Sequence, residues 1–287
     1  MIQDIFPHHL YNQYDPSAEP VLTSRIVVYQ DGRILLHVDQ ERGTFDFPRW
    51  HEMGCPEQMT YLFSLDETKY FLAMPDPGKG FSSLPRELVI GEDCDFYNLR
   101  EIRRWGLRPR ESVFAAFTAL QLAEWYERTV FCGKCGHVMH NSEKERARVC
   151  PLCGTTIYPR INPAVIVGVK NGDSLLITRY KGPRSMNALV AGFTEIGETF
   201  EETVAREVME ETGVRVKNIR YYKSQPWGIA SDILAGFYCE VDGDPTIRID
   251  ESELKYAEWV RREEIGLQPQ DYSLTNEMMQ RFKEGKE

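Results

Sequence analysis

The sequence has no long hydrophobic run. None of its apolar stretches approaches the roughly 18 uncharged residues of a membrane-spanning helix, so no helical span is expected. Positive charge is scarce as well: Lys and Arg total 34 against 44 Asp and Glu, a formal net charge of −10. Broad, sequence-independent nucleic-acid binding rests on cationic side chains that neutralise phosphates, and this balance argues against it. An acidic chain can still handle phosphates through a divalent cation that inverts the local field, which directs attention to clustered carboxylates. Internal repeats and low-complexity tracts are missing, and the ordinary composition excludes a collagen-like, disordered or small disulfide-scaffold chain. The opening MIQDIFPHHLYNQYDPS shows no basic start, apolar centre or small-residue cleavage site. A cytoplasmic location is the expectation.

At about 100–200 residues per domain, 287 residues make roughly two domains, with room for a small insert. Seven cysteines are present. Four of them form Cys132-x2-Cys135-x14-Cys150-x2-Cys153, two CxxC knuckles of the kind that surround a tetrahedral zinc ion. Gly133, Gly136 and Gly154 permit the tight turns beside them. A pair of disulfides is the competing reading, and it suits a secreted chain. Four thiolates complete a zinc shell, so His137 and His140 are read as surface residues, and Cys55, Cys94 and Cys239 as isolated thiols.

Along the chain, residues 20–105 read as short strands: SRIVVY, RILLHV, KYFLAM and ELVI, with Asp31-Gly32 as a hairpin turn between the first two. Residues 109–128, PRESVFAAFTALQLAEWYER, carry apolar residues at helical spacing and lead into the knuckles. From Ile161 the pattern changes. PAVIVGV and SLLITRY read as strands joined by Asn171-Gly172-Asp173, followed by ALVAGF, a helix over 199–212, the strands VRVKNIRYYKSQ, DILAGFYCEV and AEWVRREE, and a closing helix in SLTNEMMQRFKE. The expected domains are a β-rich domain over 1–108, a linker helix with zinc ribbon over 109–158, and an α/β domain over 159–287.

The 199–212 helix holds the carboxylates. Glu207, Glu210 and Glu211 are spaced i, i+3 and i+4, which places them on one face. Val204, Ala205, Val208 and Met209 form the neighbouring arc, expected to pack on a sheet. Like charges at these spacings repel, so the cluster lowers helix stability unless something offsets it. A solvated acidic face is the bland reading. A site for a hard cation such as Mg²⁺, which takes carboxylate oxygens and keeps several waters, is the functional one.

The order Gly192-x5-Glu198-x7-Arg206-Glu207-Val208-x-Glu210-Glu211-x-Gly213-Val214 resembles the Nudix box at each of its fixed positions. With a four-Cys ribbon directly before it, the chain resembles the NADH pyrophosphatase family, whose bacterial members also remove NAD caps from RNA. Val190-Ala191-Gly192-Phe193, Tyr158-Pro159-Arg160 and Ser224-Gln225-Pro226-Trp227 are similar to that family too. The likeness covers roughly residues 129–260. It departs after Trp227: the family carries PFPxS, and this chain has Gly228-Ile229-Ala230-Ser231.

The resemblance implies an α/β class with a C-terminal Nudix α/β/α sandwich, preceded by the ribbon and a β-rich N-terminal domain. It implies metal-dependent hydrolysis of the pyrophosphate of NAD(H) to NMN(H) and AMP, and cap removal from NAD-capped RNA. It implies a structural Zn²⁺ on Cys132, Cys135, Cys150 and Cys153. It implies catalytic Mg²⁺ or Mn²⁺ on Glu207, Glu210, Glu211, Glu253 and the Ala191 carbonyl. Arg206 and Glu198 orient the glutamates, and Glu211, then Glu210, is the carboxylate chosen to take a proton from water. Substrate contacts fall on Phe193, Gln225, Pro226, Trp227, Gly228, Ser231, Tyr158, Glu145 and Arg100. A homodimer is the implied assembly, with a dinucleotide as the small-molecule partner and no membrane. Two other readings compete. One is a Nudix hydrolase of another dinucleotide or of ADP-ribose, which the altered stretch at 228–231 keeps open. The other is a non-catalytic zinc-ribbon module holding nucleic acid, against which the intact box and the mixed charges of GKCGHVMHNSEKERARVC argue.

Overall fold

A computed structural model describes residues 1–73, 94–182 and 186–287. The expected ELVI strand, residues 87–90, lies outside the described residues. Backbone contacts divide the chain into two units: Gln3–Arg160 with Gly228–Ala230, and Met1–Ile2 with Ile161–Trp227 and Ser231–Glu287.

The first unit is rich in short strands. β1 (Leu10–Tyr11), β2 (Arg25–Val27), β3 (Tyr29–Gln30), β4 (Arg33–Asp39), β5 (Thr44–Asp46), β6 (Met59–Leu65), β7 (Thr68–Ala73) and β8 (Cys94–Tyr97) precede two helices, α1 (Leu99–Trp105) and α2 (Arg110–Arg128). They form one sheet in the order β1-β6-β7-β2 and another in the order β3-β4-β5 with β8 on β4. The expected SRIVVY strand is broken in two. Arg25–Val27 pairs in parallel with β7, whereas Tyr29–Gln30 enters the hairpin whose tip is Asp31-Gly32, with both residues at positive φ. α2 buries Val113, Ala116, Phe117, Leu120, Ala123 and Tyr126, so its apolar stripe is core. The unit ends in the strands β9 (His140–Asn141), β10 (Arg148–Val149) and β11 (Thr156–Ile157), ordered β11-β10-β9.

The second unit is a mixed sheet with a helix on each face. Its strands are β12 (Asn162–Asn171), β13 (Ser174–Tyr180), β14 (Val190–Phe193), β15 (Val216–Trp227), β16 (Asp232–Val241) and β17 (Leu254–Arg261); its helices are α3 (Phe200–Thr212) and α4 (Leu274–Lys283). The order is β15-β16-β12-β13-β17, with β14 also on β12. β12 and β16 are parallel, and the other pairs are antiparallel. The period-2 alternation of the strands sends Val165, Val167, Leu176, Val190, Ala235 and Phe237 toward Val204 and Val208 of α3. It sends Ile166, Leu175, Ile177 and Tyr238 toward Leu274, Met278 and Phe282 of α4. This is the expected α/β/α sandwich.

Candidate metal and pyrophosphate site

The four knuckle sulfurs converge. Cys132 Sγ lies 3.6 Å from Cys153 Sγ, and Cys135 Sγ lies 3.4 Å from Cys150 Sγ and 3.5 Å from Cys153 Sγ. A tetrahedron with Zn–S of about 2.3 Å has edges of about 3.8 Å, so the sulfurs stand close to a zinc shell. Gly136 and Gly154 take positive φ, and their N–H groups bond back to the Cys132 and Cys150 carbonyls, which closes the turns. His137 and His140 are exposed, as expected. Among the described residues, this is the one group of three or more His, Cys, Asp or Glu whose ligand atoms all lie within 4.8 Å of one another.

The carboxylates sit on α3. The helix starts in a capping box: the Glu202 N–H donates to Thr199 Oγ1 (3.2 Å), and the Thr199 N–H donates to Glu202 Oε2 (2.8 Å). It stops at Gly213, whose φ of 68° suits the left-handed cap, with its N–H on the Met209 carbonyl. The face assignment needs correcting. Ala205 and Met209 are exposed, not packed on the sheet, whereas Thr203, Val204, Val208, Glu211 and Thr212 are buried. Glu211 is only 2% exposed, so it is not part of a solvated acidic face.

Arg206 answers the repulsion problem. Its guanidinium donates to Glu198 (2.6 and 2.9 Å), to Glu207 Oε1 (2.8 Å), to Glu210 Oε2 (2.9 Å) and to the Phe193 carbonyl (2.9 Å). One cation ties three box glutamates to the loop before the helix. Its hydrogen bonds hold the Glu198 carboxyl down at about 2, and the carboxylates push the Arg206 pKa up. Glu198 also accepts from the Glu195 N–H and the Thr203 hydroxyl, so it is an anchor of the loop.

Glu207 and Glu211 are different. Burial raises both carboxyls, and Glu211 reaches about 8, helped by the charges of Glu207 and Glu253. The Glu207 carboxylate lies against Gly192, where an added Cβ would come within 1.9 Å of Glu207 Cδ. The Tyr180 hydroxyl donates to Glu211 (Oε1 2.9 Å, Oε2 3.1 Å) and accepts from the Ala191 N–H (3.0 Å). A buried carboxylate and a half-buried one that repel each other are the donor set that a hard divalent cation would stabilise. Glu253, just before β17, is exposed; Glu210 is 59% exposed and tied to Arg206.

The expected substrate residues divide. Phe193 is 53% exposed at the end of β14, with its ring free to stack. Trp227 and Pro226 end β15 opposite Asp232 and Ile233. Gln225 is fully buried: its amide donates to the Tyr272 carbonyl (2.7 Å), and its oxygen accepts from the Leu274 N–H (2.6 Å). These two bonds fix the start of α4. Ser231 takes a positive φ of 59° ahead of β16. Gly228 lies against the Phe117 carbonyl within its own unit, where a Cβ would come within 2.1 Å. In that unit Tyr158 donates to Glu145 Oε1 (2.9 Å), both exposed, and Arg100 is exposed in the first turn of α1, its N–H on the Asn98 cap. Tyr180 escaped the sequence reading, because a tyrosine ending a strand carries no periodic signal.

Residues 160–282 match the profile of the NUDIX domain, and residues 127–158 match the NADH pyrophosphatase zinc ribbon domain. Two proteins named NAD-capped RNA hydrolase NudC, from Salmonella heidelberg (strain SL476) and Klebsiella pneumoniae (strain 342), are each 44% identical to this chain over 151 and 152 residues. The matched stretch spans 52% of this chain and 58% of each relative. Among solved structures, a NUDIX hydrolase from Nitrosomonas europaea is similar at 24% identity, covering 54% of this chain and 90% of its own, with a TM-score of 0.47. The chain therefore carries a NUDIX domain directly behind a zinc ribbon of the NADH pyrophosphatase kind.

Proposed function

We propose that this chain hydrolyses the pyrophosphate of NAD(H), releasing AMP and NMN(H), with Mg²⁺ or Mn²⁺ as the catalytic metal. The NAD cap of an RNA presents the same bond and is proposed as a second substrate. The observation that carries this reading is the buried Glu211 beside Glu207, in a Nudix box that follows a four-Cys ribbon. Glu207, Glu211 and the Ala191 carbonyl would hold the metal, joined by Glu253 and, on the outer side, Glu210. A divalent cation held there would polarise the phosphoryl oxygens and lower the pKa of a bound water.

The chain's own residues supply the rest. Arg206 and Glu198 hold the helix and the Gly192 loop in register, so the carboxylates keep their positions. Glu211 is the proposed acceptor of the water proton. Phe193 offers an exposed ring on which a base or nicotinamide can stack. Trp227 is the proposed substrate-loop contact at the end of β15. Tyr158 and Glu145 are proposed as substrate contacts supplied across a homodimer and Arg100 as a further substrate contact, with the cytoplasm as the proposed location.

ADP-ribose or another dinucleotide is the second reading, favoured by Gly228-Ile229-Ala230-Ser231 in place of PFPxS. The test is hydrolysis of NADH, NAD⁺, ADP-ribose and NAD-capped RNA in parallel, with and without Mg²⁺ or Mn²⁺. Metal-dependent release of AMP from NADH or NAD⁺ is the expected result. Cleavage of ADP-ribose alone would transfer the assignment to the second reading, and cleavage of none would refute both.

A further inference from the structure

A buried carboxylate needs donors, and Glu211 finds a neutral one in an unexpected place. Tyr180 is the last residue of β13, where the pairing with β17 slips: Arg179 faces Tyr256, and Tyr180 faces Leu254. A bulge of this kind re-aims the side chains around it. Strand alternation sets Tyr180 on the α3 side of the sheet, since Leu176 packs with α3 while Leu175 and Ile177 pack with α4. The phenol oxygen thereby reaches Glu211 Oε1 at 2.9 Å and Oε2 at 3.1 Å, and the Ala191 carbonyl at 3.3 Å. It has one proton and three acceptors. The carboxylate is nearer and more strongly accepting, so the O–H is directed to Glu211. The Ala191 N–H donates to the same oxygen at 3.0 Å, which fixes the phenol from behind.

We propose that Tyr180 is a positioning residue of the metal site: it holds the Glu211 carboxylate and the Ala191 peptide at a fixed separation, so that both metal donors are preorganised before the cation arrives. This rests on the reading of Glu211 and the Ala191 carbonyl as metal donors. Outer partners of metal ligands act in this way, and their loss typically costs about 10–100-fold in metal affinity. The phenol touches neither water nor substrate in this scheme. Its effect passes wholly through Glu211 and Ala191.

Tyr180→Phe keeps the ring and removes only the O–H. Mn²⁺ binding is measured by calorimetry and by electron paramagnetic resonance on the full-length, zinc-loaded protein, with no substrate present. The variant is expected to bind Mn²⁺ about tenfold more weakly or worse. Its hydrolysis should need correspondingly more metal. A purely structural tyrosine would lower the melting temperature and leave the Mn²⁺ affinity unchanged, and that result overturns the proposal. The double-variant cycle gives the second arm: in a Glu211→Gln background, Tyr180→Phe should weaken Mn²⁺ binding less than it does in the parent, leaving only the share exerted through Ala191, and a fully additive loss overturns a role exerted through Glu211. A parent that binds no Mn²⁺ at this site overturns both this inference and the metal reading beneath it. A parent that binds Mn²⁺ indistinguishably from Tyr180→Phe overturns this inference alone.

Discussion

Gly192→Ala adds one methyl group where the structure has no room for it. An ideal Cβ would lie 1.9 Å from Glu207 Cδ and 2.1 and 2.2 Å from its oxygens. Carbon atoms in contact sit at about 3.5–4.0 Å, so the carboxylate must retreat by roughly 1.5–2 Å. The backbone raises no objection, because Gly192 is not among the glycines at positive φ. The obstacle is the far end of a flexible side chain, so the fold should survive. Overpacking of this kind costs about 1–3 kcal/mol, offset by about 0.4–1 kcal/mol from the reduced freedom of the unfolded chain. The retreat pulls Glu207 away from its 2.8 Å bond to Arg206 and from the proposed metal position. Misplacing a catalytic group by about 1 Å can cost on the order of 10²-fold in rate. Thermal melting and initial rates of NADH hydrolysis across a Mn²⁺ titration read the two effects separately. The expectation is a modest change in melting with a loss of at least about 10²-fold in turnover. A variant with parental rate and parental metal dependence would refute the idea that Gly192 exists to seat Glu207.

Two further outcomes follow from other parts of the molecule. Cys132→Ser or Cys150→Ser should release zinc and lower the melting temperature with the α3 carboxylates untouched, because structural zinc contributes folding free energy; full zinc content with parental melting would contradict this. Asp232 is 6% exposed, its Oδ1 has no hydrogen-bond partner among the described residues, and burial pushes its carboxyl up to about 6. The folded state therefore binds the proton more tightly than the unfolded one, so this group's contribution to stability falls as pH rises from about 4 to about 6. Asp232→Asn should remove that dependence and stabilise the protein at pH 7 by on the order of 1–3 kcal/mol, read by denaturant unfolding at several pH values. An unchanged pH profile would contradict it.

Much of this was legible in the residues. The knuckles, the α2 stripe and the 199–212 helix each have a local signal: fixed Cys spacing, period-3.6 apolar residues, glutamates at i, i+3 and i+4. The strands of the sandwich follow from alternation and from the Asn171-Gly172-Asp173 turn. What failed was the inside and outside of α3. Glu207, Glu210 and Glu211 look alike on a helical wheel, and only the sheet decides that Glu211 is enclosed while Ala205 and Met209 are not. The role of Arg206 as a clamp on Glu198, Glu207 and Glu210 depends on the loop folding back to the helix, which spacing alone does not encode. Gln225 read as a ligand contact and is bonded to the start of α4, because a distant segment in sequence arrives beside β15. Tyr180 was invisible for the same reason: a bulge in the partner strand aims it.

The central claim is that Glu211 is a buried carboxylate kept for chemistry at the expense of stability. Glu211→Gln tests it most directly. The swap keeps size and an acceptor for the Tyr180 O–H, and removes a charge whose pKa burial has raised to about 8. In metal-free buffer near pH 8–9, where the parent carboxylate ionises in the folded state, the variant should melt higher than the parent, because that penalty is gone. With saturating Mg²⁺ it should hydrolyse NADH on the order of 10²–10⁴-fold more slowly, as for the loss of a positioned acid–base group. Near-parental hydrolysis by Glu211→Gln under those conditions would contradict the account.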